Sequence, residues 1–216
     1  MYLIPFGCLI IILLVLSLPL LFFLVFLRII SFGFGNLGFS EEATFLVLLL
    51  ILAGSLVNIP LTRSKRIYIE KPYFFNLFKK QEIVSQGIAI NLGGAIIPIL
   101  ISAFFLTKVP LKPTLIATLL MAIIAYSLSK IVPGRGIVLP AFIPPIFSAI
   151  ISLILVPNFP APVAFISGVA GVLIGADILK IRKARKIYSG TLSIGGAGVF
   201  DGIFLMGIVS AFLTGF

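Results

Sequence analysis

Histidine and tryptophan are absent from this 216-residue chain, and cysteine occurs once, at Cys8. The lack of histidine excludes Ser-His-Asp and Cys-His triads, histidine-ligated haem and the usual zinc sites. A lone cysteine also excludes an internal disulfide framework. Acidic residues are scarce as well, with six Asp and Glu against sixteen Lys and Arg. Any acid–base chemistry therefore depends on very few carboxylates, and we predict no metal and no cofactor.

Charged residues of all kinds make up only 10% of the chain, whereas 61% of it is apolar. Soluble domains are about 25% charged and about 45–50% apolar. A soluble fold of this size has too little interior to bury so much apolar surface. We therefore predict a single integral membrane domain over residues 1–216.

Apolar runs long enough to cross a bilayer, about 20 residues each, recur along the sequence. They predict an all-α, polytopic transmembrane helix bundle of about seven spans. The first run has no basic segment before it and no small-residue cleavage site, so we expect it to be retained. The fifth contains Pro144 and Pro145 and is predicted as one helix or as two broken half-helices. The predicted spans are residues 5–30, 43–62, 86–106, 113–131, 138–156, 160–180 and 197–215.

Basic residues are concentrated in alternate loops of this arrangement. Thirteen of the sixteen lie around 63–85, 130–137 and 180–196, and three lie on the opposite side. Lys and Arg accumulate in cytoplasmic loops, so we predict a multi-pass plasma-membrane protein with a cytoplasmic N terminus and an external C terminus. The same charge favours anionic lipid headgroups as partners over nucleic acid. The aromatic and basic stretch 67–78 is interpreted as an interfacial amphipathic segment.

The start of the second span carries a helix-capping pattern. Ser40 precedes Glu41 and Glu42, and acidic residues in a first turn favour the positive end of the helix dipole. We therefore interpret these three residues as a cap and assign them no chemistry.

The two aspartates, Asp177 and Asp201, lie in or at the edge of the sixth and seventh spans. Carboxylates are costly in a span and usually face a bundle interior or a hydrated cavity. Because both flank the same cytoplasmic loop, we predict that they meet near the cytoplasmic face. Two such carboxylates share one proton, as in an aspartyl protease. The structural alternative pairs Asp177 with Lys180, and has Asp201 cap the seventh span or pair with Arg182 or Arg185.

Glycines surround both aspartates. Gly171 and Gly175, like Gly198 and Gly202, are spaced four apart, which lets another backbone approach closely. We expect the sixth and seventh spans to pack on each other or on the third. The run from Gly195 and Gly196 to Gly198 predicts flexible backbone that exposes amides to a peptide substrate.

Polar groups in other spans provide further candidates for substrate binding. Asn58 closes the second span and Asn91 precedes Gly93 and Gly94 in the third. Amides in spans commonly fix helix packing, and that interpretation stays open here. In the functional alternative, Asn58 and Asn91 line the cavity of the aspartates, which Pro140 at the start of the fifth span also reaches.

Three segments resemble an uncharacterised family of archaeal and bacterial membrane proteins, a domain of unknown function. They are Ser55-Leu-Val-Asn58-Ile-Pro60, Gly175-Ala-Asp177 and Ser193-Ile-Gly-Gly-Ala-Gly198-Val-Phe-Asp201-Gly-Ile-Phe-Leu. The resemblance covers nearly the whole chain and implies no established activity.

The order of sixth span, cytoplasmic loop and seventh span also resembles the presenilin and signal-peptide-peptidase group of intramembrane aspartyl proteases. Those proteins carry one Asp on each side of the loop, the second in a Gly-x-Gly-Asp motif. Here Val199 and Phe200 separate Gly198 from Asp201, and the nearest match to the group's Pro-Ala-Leu element is Pro140-Ala-Phe. The resemblance implies that Asp177 and Asp201 are catalytic and that the substrate is a membrane-embedded peptide.

Three functions remain open from the sequence. The first is an intramembrane aspartyl protease with Asp177 and Asp201 as its dyad. The second is a small ion-coupled transporter in which one of these carboxylates carries a proton or Na⁺. The third is a non-catalytic, lipid-binding membrane protein whose aspartates pair with the basic loop.

Overall fold

A computed structural model describes most of the chain from residue 39 onwards. The described residues are 13–19, 21, 25, 28, 35, 39–63, 65–73, 78–187, 190–196, 199, 203, 205, 206 and 208. Within them the chain is mostly helical and also contains six β-strands.

The helices pack around Pro160–Val172, which a π-helical segment joins end to end to Leu179–Ile187. The described helices are α1 (Glu41–Ser55), α2 (Ile97–Leu106), α3 (Leu111–Leu128), α4 (Ile143–Leu155), α5 (Pro160–Val172) and α6 (Leu179–Ile187). A first π-helical segment, Leu92–Ile96, leads into α2, and a second, Leu173–Ile178, joins α5 to α6. Helix α5 is buried along most of its length and packs against α2, α3 and α4.

Two of these helical stretches are long and apolar enough to cross a membrane, namely Leu111–Leu128 and the continuous Pro160–Ile187. The outward faces of the bundle carry large apolar side chains. Leu46, Leu100, Leu119 and Ile154 are between 56% and 73% exposed. Soluble monomers rarely expose contiguous apolar surface on this scale, which is typical of a surface that contacts lipid or a partner.

The start of α1 confirms the predicted cap. The Ser40 hydroxyl accepts a hydrogen bond from the Ala43 backbone N–H at 3.2 Å. The pKa of the Glu42 carboxyl is held below its ordinary value, first by its own backbone N–H and then by the Ser40 hydroxyl. Glu42 is exposed, so this effect is local to the cap.

The six strands of the described residues form two sheets at one end of the bundle. They are β1 (Asn58–Pro60), β2 (Lys65–Tyr73), β3 (Phe78–Asn91), β4 (Lys130–Val132), β5 (Gly136–Val138) and β6 (Thr191–Ile194). Strand β3 pairs antiparallel with β1 and β2 and parallel with β6, which places Gly87 opposite Thr191. Strands β4 and β5 form a separate hairpin.

These strands correct the all-α prediction and shorten the predicted spans. Residues 86–91, predicted as the start of the third span, belong to β3, and the helical part begins only at Leu92. The second span ends at Ser55 instead of residue 62, since Asn58–Pro60 is a strand. Mean hydropathy over a window detects apolar content, so it included this strand in the span. Burial alternates along residues 86–91 of the folded strand, but the sequence there shows no alternation of polar and apolar residues.

The basic loop that was predicted at 63–85 is a β-hairpin formed by β2 and the first part of β3. Its stretch 67–78 was interpreted as an amphipathic surface segment, and its residues lie on the two arms of the hairpin, with 74–77 outside the described residues. Whether this hairpin lies against lipid stays a prediction.

The predicted break in the fifth span does not form. Helix α4 begins at Ile143, so residues 138–142 precede it, and Pro144 and Pro145 lie in its first turn. Proline is tolerated there because the first N–H groups of a helix have no partner within it. Pro144 and Pro145 therefore start a helix and do not break one. Pro98 lies within the continuous helical stretch Leu92–Leu106, directly after the first π-helical segment.

The fourth and sixth predicted spans correspond to α3 and to α5 with the second π-segment. Most of the first predicted span and much of the seventh lie outside the described residues. The number of spans therefore stays a prediction.

Candidate functional site

Asp177 lies in the second π-segment and is buried, with 2% of its surface exposed. Its Oδ2 accepts a hydrogen bond from the Gly195 backbone N–H at 2.6 Å. Within the described residues, Asp177 forms no ion pair. A buried carboxylate held by one backbone donor is an unusual group in a mostly apolar bundle, since charge is costly away from water unless it is paired.

Strand β6 brings Gly195 to this carboxylate. Its last residue, Ile194, pairs with Ile90 of β3, so Gly195 follows at the point where β3 ends. Gly195 has φ of 67°, and a Cβ built on it would lie 2.5 Å from the Gly94 carbonyl oxygen. Only glycine fits this position, because both the left-handed backbone and the close approach exclude a side chain.

The two predicted amides lie together at the same strand ends. Asn58 and Asn91 are register partners, and Asn91 donates through Nδ2 to the Ser55 carbonyl at 2.7 Å and to Asn58 Oδ1 at 3.1 Å. Asn58 Oδ1 also accepts from the Ser193 hydroxyl. Asn91 is only 3% exposed, whereas Asn58 is exposed and Ser193 is half-buried, so this cluster extends from the interior to the surface.

Gly94 links the amides to the carboxylate. Its backbone N–H donates to Asn91 Oδ1 at 2.7 Å, and its carbonyl oxygen lies against Gly195. Pro98, four residues later, has no N–H to donate to that carbonyl. We call the set Asn58, Asn91, Asp177, Ser193 and Gly195 the polar junction. The structure therefore brings together four residues that the sequence nominated, two of them more than 80 positions before Asp177.

The other predicted site residues are not all at this junction. Gly196 is buried next to it, and its N–H donates to the Ser193 carbonyl at 3.0 Å. Pro140 is exposed between β5 and α4. Asp201, Gly198 and Gly202 lie outside the described residues, so the pairing of the aspartates stays a prediction.

The alternative pairing of Asp177 with Lys180 is wrong. Lys180 Nζ donates to the Ser129 carbonyl and lies 4.7 Å from the centre of the Tyr126 ring. The side chain is thus directed to the end of α3, whereas Asp177 is directed to Gly195. In an α-helix, residues three apart lie on the same face. The wider turn of the π-segment changes the angular spacing of side chains around the helix, so Asp177 and Lys180 do not share a face.

The glycine spacing predicted close packing but not its partner. A Cβ on Gly171 would lie 2.5 Å from Met121 Cβ, and one on Gly175 would lie 2.1 Å from the Ala122 carbonyl oxygen. Both glycines therefore face α3, the predicted fourth span, and not the third or the seventh. The predicted contact with the seventh span occurs one turn earlier, where Gly168 meets Met206.

Ser193 of the polar junction, and Gly94 that links its amides to the carboxylate, were not recognised as site residues from the sequence. Ser193 was noted only as part of a family motif, and Gly94 only as a neighbour of Asn91. The alternation of polar and apolar residues over Thr191–Ile194 is the signal that could have identified β6. Its pairing with β3 joins residues about 100 positions apart, which no local pattern reveals.

The comparisons with known proteins give a family and no activity. The profile of a family described as protein of unknown function (DUF1614) matches residues 52–213. The chain belongs to this family. The match of the DUF1614 profile covers every residue of the polar junction as well as Asp201. No curated protein and no solved structure matches the chain.

Within the described residues, this DUF1614 protein has no group of three or more Cys, Asp or Glu residues able to hold a metal. What the junction provides is a buried carboxylate, a backbone amide that donates to it, a hydroxyl and two amide side chains. This donor set suits the activation of water or the binding of a peptide bond.

Proposed function

We propose that this protein is an intramembrane aspartyl protease with Asp177 and Asp201 as its catalytic pair. The observation that carries the proposal is the hydrogen bond from the Gly195 N–H to Asp177 Oδ2. It joins the carboxylate of one helix to the first residues of the segment that leads to the second carboxylate. The two aspartates are 24 positions apart in sequence, yet Asp177 contacts a residue only six positions before Asp201.

The residues on either side of Asp201 support its inclusion. Val199 and Ile203 are each 2% exposed, and both belong to the apolar core that contains Val172 and Ala176 of the Asp177 helix. Met206 contacts Gly168 on the same helix. Val199, Ile203 and Met206, on either side of Asp201, thus pack in the same core as the helix that carries Asp177.

In the proposed reaction, one carboxylate removes a proton from water while the other, protonated, donates a hydrogen bond to the scissile carbonyl. The water oxygen adds to the carbonyl carbon, and the protons then move so that the C–N bond breaks to a carboxylic acid and an amine. Two carboxylates that share one proton provide both roles at once.

Strand β6 provides a place for the substrate. Within the described part of the chain it is paired along one edge only, to β3. An extended peptide added to the other edge would lie beside Gly195 and Gly196 and run towards Asp177. Strand addition binds the peptide through its backbone, and so tolerates many sequences.

The proposed setting is a seven-span, multi-pass protein of the plasma membrane with this site near the cytoplasmic face. The exposed apolar side chains of α1 to α4 support contact with lipid. The three basic segments meet at one end, where Gln86 donates to the Arg185 carbonyl at 2.8 Å and Lys180 contacts Ser129. Basic residues favour the cytoplasmic side, and Asp177 is three residues from Lys180.

The test uses a peptidomimetic that carries a hydroxyethylene group, which imitates the tetrahedral intermediate, and a photoreactive label. We expect it to label the full chain in membranes, and labelling to be lost in both Asp177→Asn and Asp201→Asn. Asparagine keeps an oxygen that accepts from Gly195, so the fold is expected to persist, and thermal unfolding checks this. Glu42→Gln is the matched control, because it removes an exposed carboxyl outside the junction, and it should label normally. Equal labelling of all four proteins, or no labelling of the wild type, would refute the proposal.

An ion-coupled transporter is the alternative, and the burial of Asp177 favours it, since carboxylates within spans commonly mark ion pathways and proton relays. Half-helices at Pro144 and Pro145 would have provided helix ends for a transported substrate, but α4 is continuous through both prolines. Uptake of ²²Na⁺ or H⁺ into proteoliposomes that depends on Asp177, without labelling by the peptidomimetic, would select the transporter. If neither labelling nor uptake is observed, the third function, a non-catalytic lipid-binding protein, remains.

A further inference from the structure

A cavity of about 650 Å³ lies where α3 ends and α6 begins, separate from the polar junction. Its walls come from the last turn of α3, the start of β4 and one face of α6. Three lysines line it, Lys130, Lys180 and Lys183, together with Tyr126 and Ser129. None of the described residues that line it is acidic.

Lys180 is held in place at this cavity. Its ammonium donates to the Ser129 carbonyl and lies over the Tyr126 ring, whose centre is 4.7 Å away. An ammonium has three donor hydrogens, so two remain for a ligand. The site is thus partly preorganised, which reduces the entropy that binding must offset.

Three positive side chains around one space repel each other until an anion neutralises them. The rim next to them is apolar, with Leu179 58% exposed and Ile187 47% exposed. A ligand that satisfies both features has an anionic head and an apolar tail. The phosphodiester of a phospholipid has two charged non-bridging oxygens, which can accept hydrogen bonds from more than one ammonium, and it is joined to apolar acyl chains.

The position of the cavity agrees with such a ligand. The continuous helix Pro160–Ile187 has 28 residues, which is about 42 Å, whereas the hydrocarbon layer is about 30 Å thick. Its basic end therefore extends beyond the apolar layer, and α3 ends at the same level because Ser129 contacts Lys180. This level is that of the headgroups.

We propose that this cavity binds the phosphate group of an anionic phospholipid, with Lys130, Lys180 and Lys183 around the phosphate and Leu179 beside the acyl chain. The inference does not depend on the protease proposal, since the cavity and the polar junction share no residue. It goes beyond a general attraction of basic loops to lipid, because it assigns a defined site.

The experiment compares two charge-matched pairs of substitutions in the full chain. The cavity pair is Lys130→Ala with Lys183→Ala, and the control pair is Arg182→Ala with Lys186→Ala, two exposed residues of α6 that do not line the cavity. Each pair removes two positive charges. Lys180 is left intact because its contact with Ser129 contributes to the fold. Thermal unfolding checks that both pairs are folded.

Native mass spectrometry of the detergent-solubilised proteins with added phosphatidylglycerol measures retained lipid, with phosphatidylcholine as the neutral reference. We expect one phosphatidylglycerol to bind saturably to the wild type and the control pair, and at least about tenfold more weakly to the cavity pair, since each lysine near a headgroup contributes appreciably. Equal weakening in both pairs would show diffuse attraction and overturn the site. So would the absence of saturable binding, or equal retention of phosphatidylcholine.

A second measurement separates the lipid from soluble phosphate. Isothermal titration with inorganic phosphate is expected to show no binding at millimolar concentration, because a free phosphate lacks the apolar contact with Leu179. Saturable binding of inorganic phosphate that is lost in the cavity pair, without selective retention of phosphatidylglycerol, would overturn the lipid assignment in favour of a soluble ligand.

Discussion

Gly195 and Gly134 have the same left-handed backbone in different surroundings. Their φ values are 67° and 79°. A Cβ at Gly195 would meet the Gly94 carbonyl oxygen at 2.5 Å, whereas one at Gly134 would meet nothing within 4 Å. The two positions therefore separate backbone strain from steric exclusion at the polar junction.

We predict that Gly134→Ala lowers the free energy of unfolding by about 1–2 kcal/mol, the cost of a left-handed alanine. Gly195→Ala should lower it by about 2–5 kcal/mol, because overpacking adds to the same strain. Unfolding by SDS titration, followed by circular dichroism, measures both. Equal losses of unfolding free energy in the two variants would mean that the residues around Gly195 accommodate a methyl group without an energetic penalty.

At the scale of elements, the close packing of α5 and its π-segment on α3 fixes the position of the π-segment, which carries Asp177. Gly175 approaches the Ala122 carbonyl so closely that a Cβ would lie 2.1 Å from it. Because the neighbour is backbone, relief requires the two helices to separate. Asp177 is two residues further along, so a shift here also changes its approach to Gly195.

We predict that Gly175→Ala reduces the free energy of unfolding by about 1–3 kcal/mol through overpacking. Gly35→Ala is the matched control, since a Cβ at this helical residue meets no atom within 4 Å. There alanine should leave stability unchanged or raise it by up to about 1 kcal/mol through helix propensity. The same SDS titration applies, and a loss at Gly35 as large as that at Gly175 would contradict the packing argument.

Sequence reasoning identified helices where apolar runs were long and unbroken, as in α3 and α5, and placed a cap at Ser40. It also nominated Asn58, Asn91, Asp177 and Gly195, because polar groups and glycine runs are conspicuous in an apolar chain. Hydropathy alone did not separate the strand residues 86–91 from the helix that follows them. Residues 87–90 are as apolar as the helix that follows, and the alternation along the strand is found only in the burial of the folded structure.

The contacts of the junction were beyond local patterns for a different reason. Asn91 and Ser193 meet at Asn58 because β6 pairs with β3 from far along the chain. Lys180 turns to Ser129 because a π-helical turn intervenes after α5. The spacing of nearby residues predicts neither the partner of a strand nor the presence of a wider helical turn.

At the scale of the whole molecule, the distribution of charge predicts which end faces the cytoplasm. The basic end carries Lys130, Lys180 and Lys183, while the short link between α4 and α5 carries none. The link contains Asn158, which is exposed. These two ends should therefore lie on opposite sides of the membrane.

We predict that, in a Cys8→Ser background, Asn158→Cys reacts with a membrane-impermeant maleimide added outside intact cells. Lys186→Cys should react only after the membrane is permeabilised. Western blotting of the mass-tagged protein measures both. Reaction of the two cysteines from the same side would contradict the predicted orientation and with it the cytoplasmic location of the polar junction.

The pairing of β6 with β3 also determines the order of events during synthesis. The Thr191 hydroxyl donates to the Ser85 carbonyl across 106 positions of sequence. Domains form their distant contacts only after the intervening chain has been made. Asp177 is therefore synthesised before Gly195, its backbone donor. The polar junction therefore cannot form until β6 has been translated and has paired with β3.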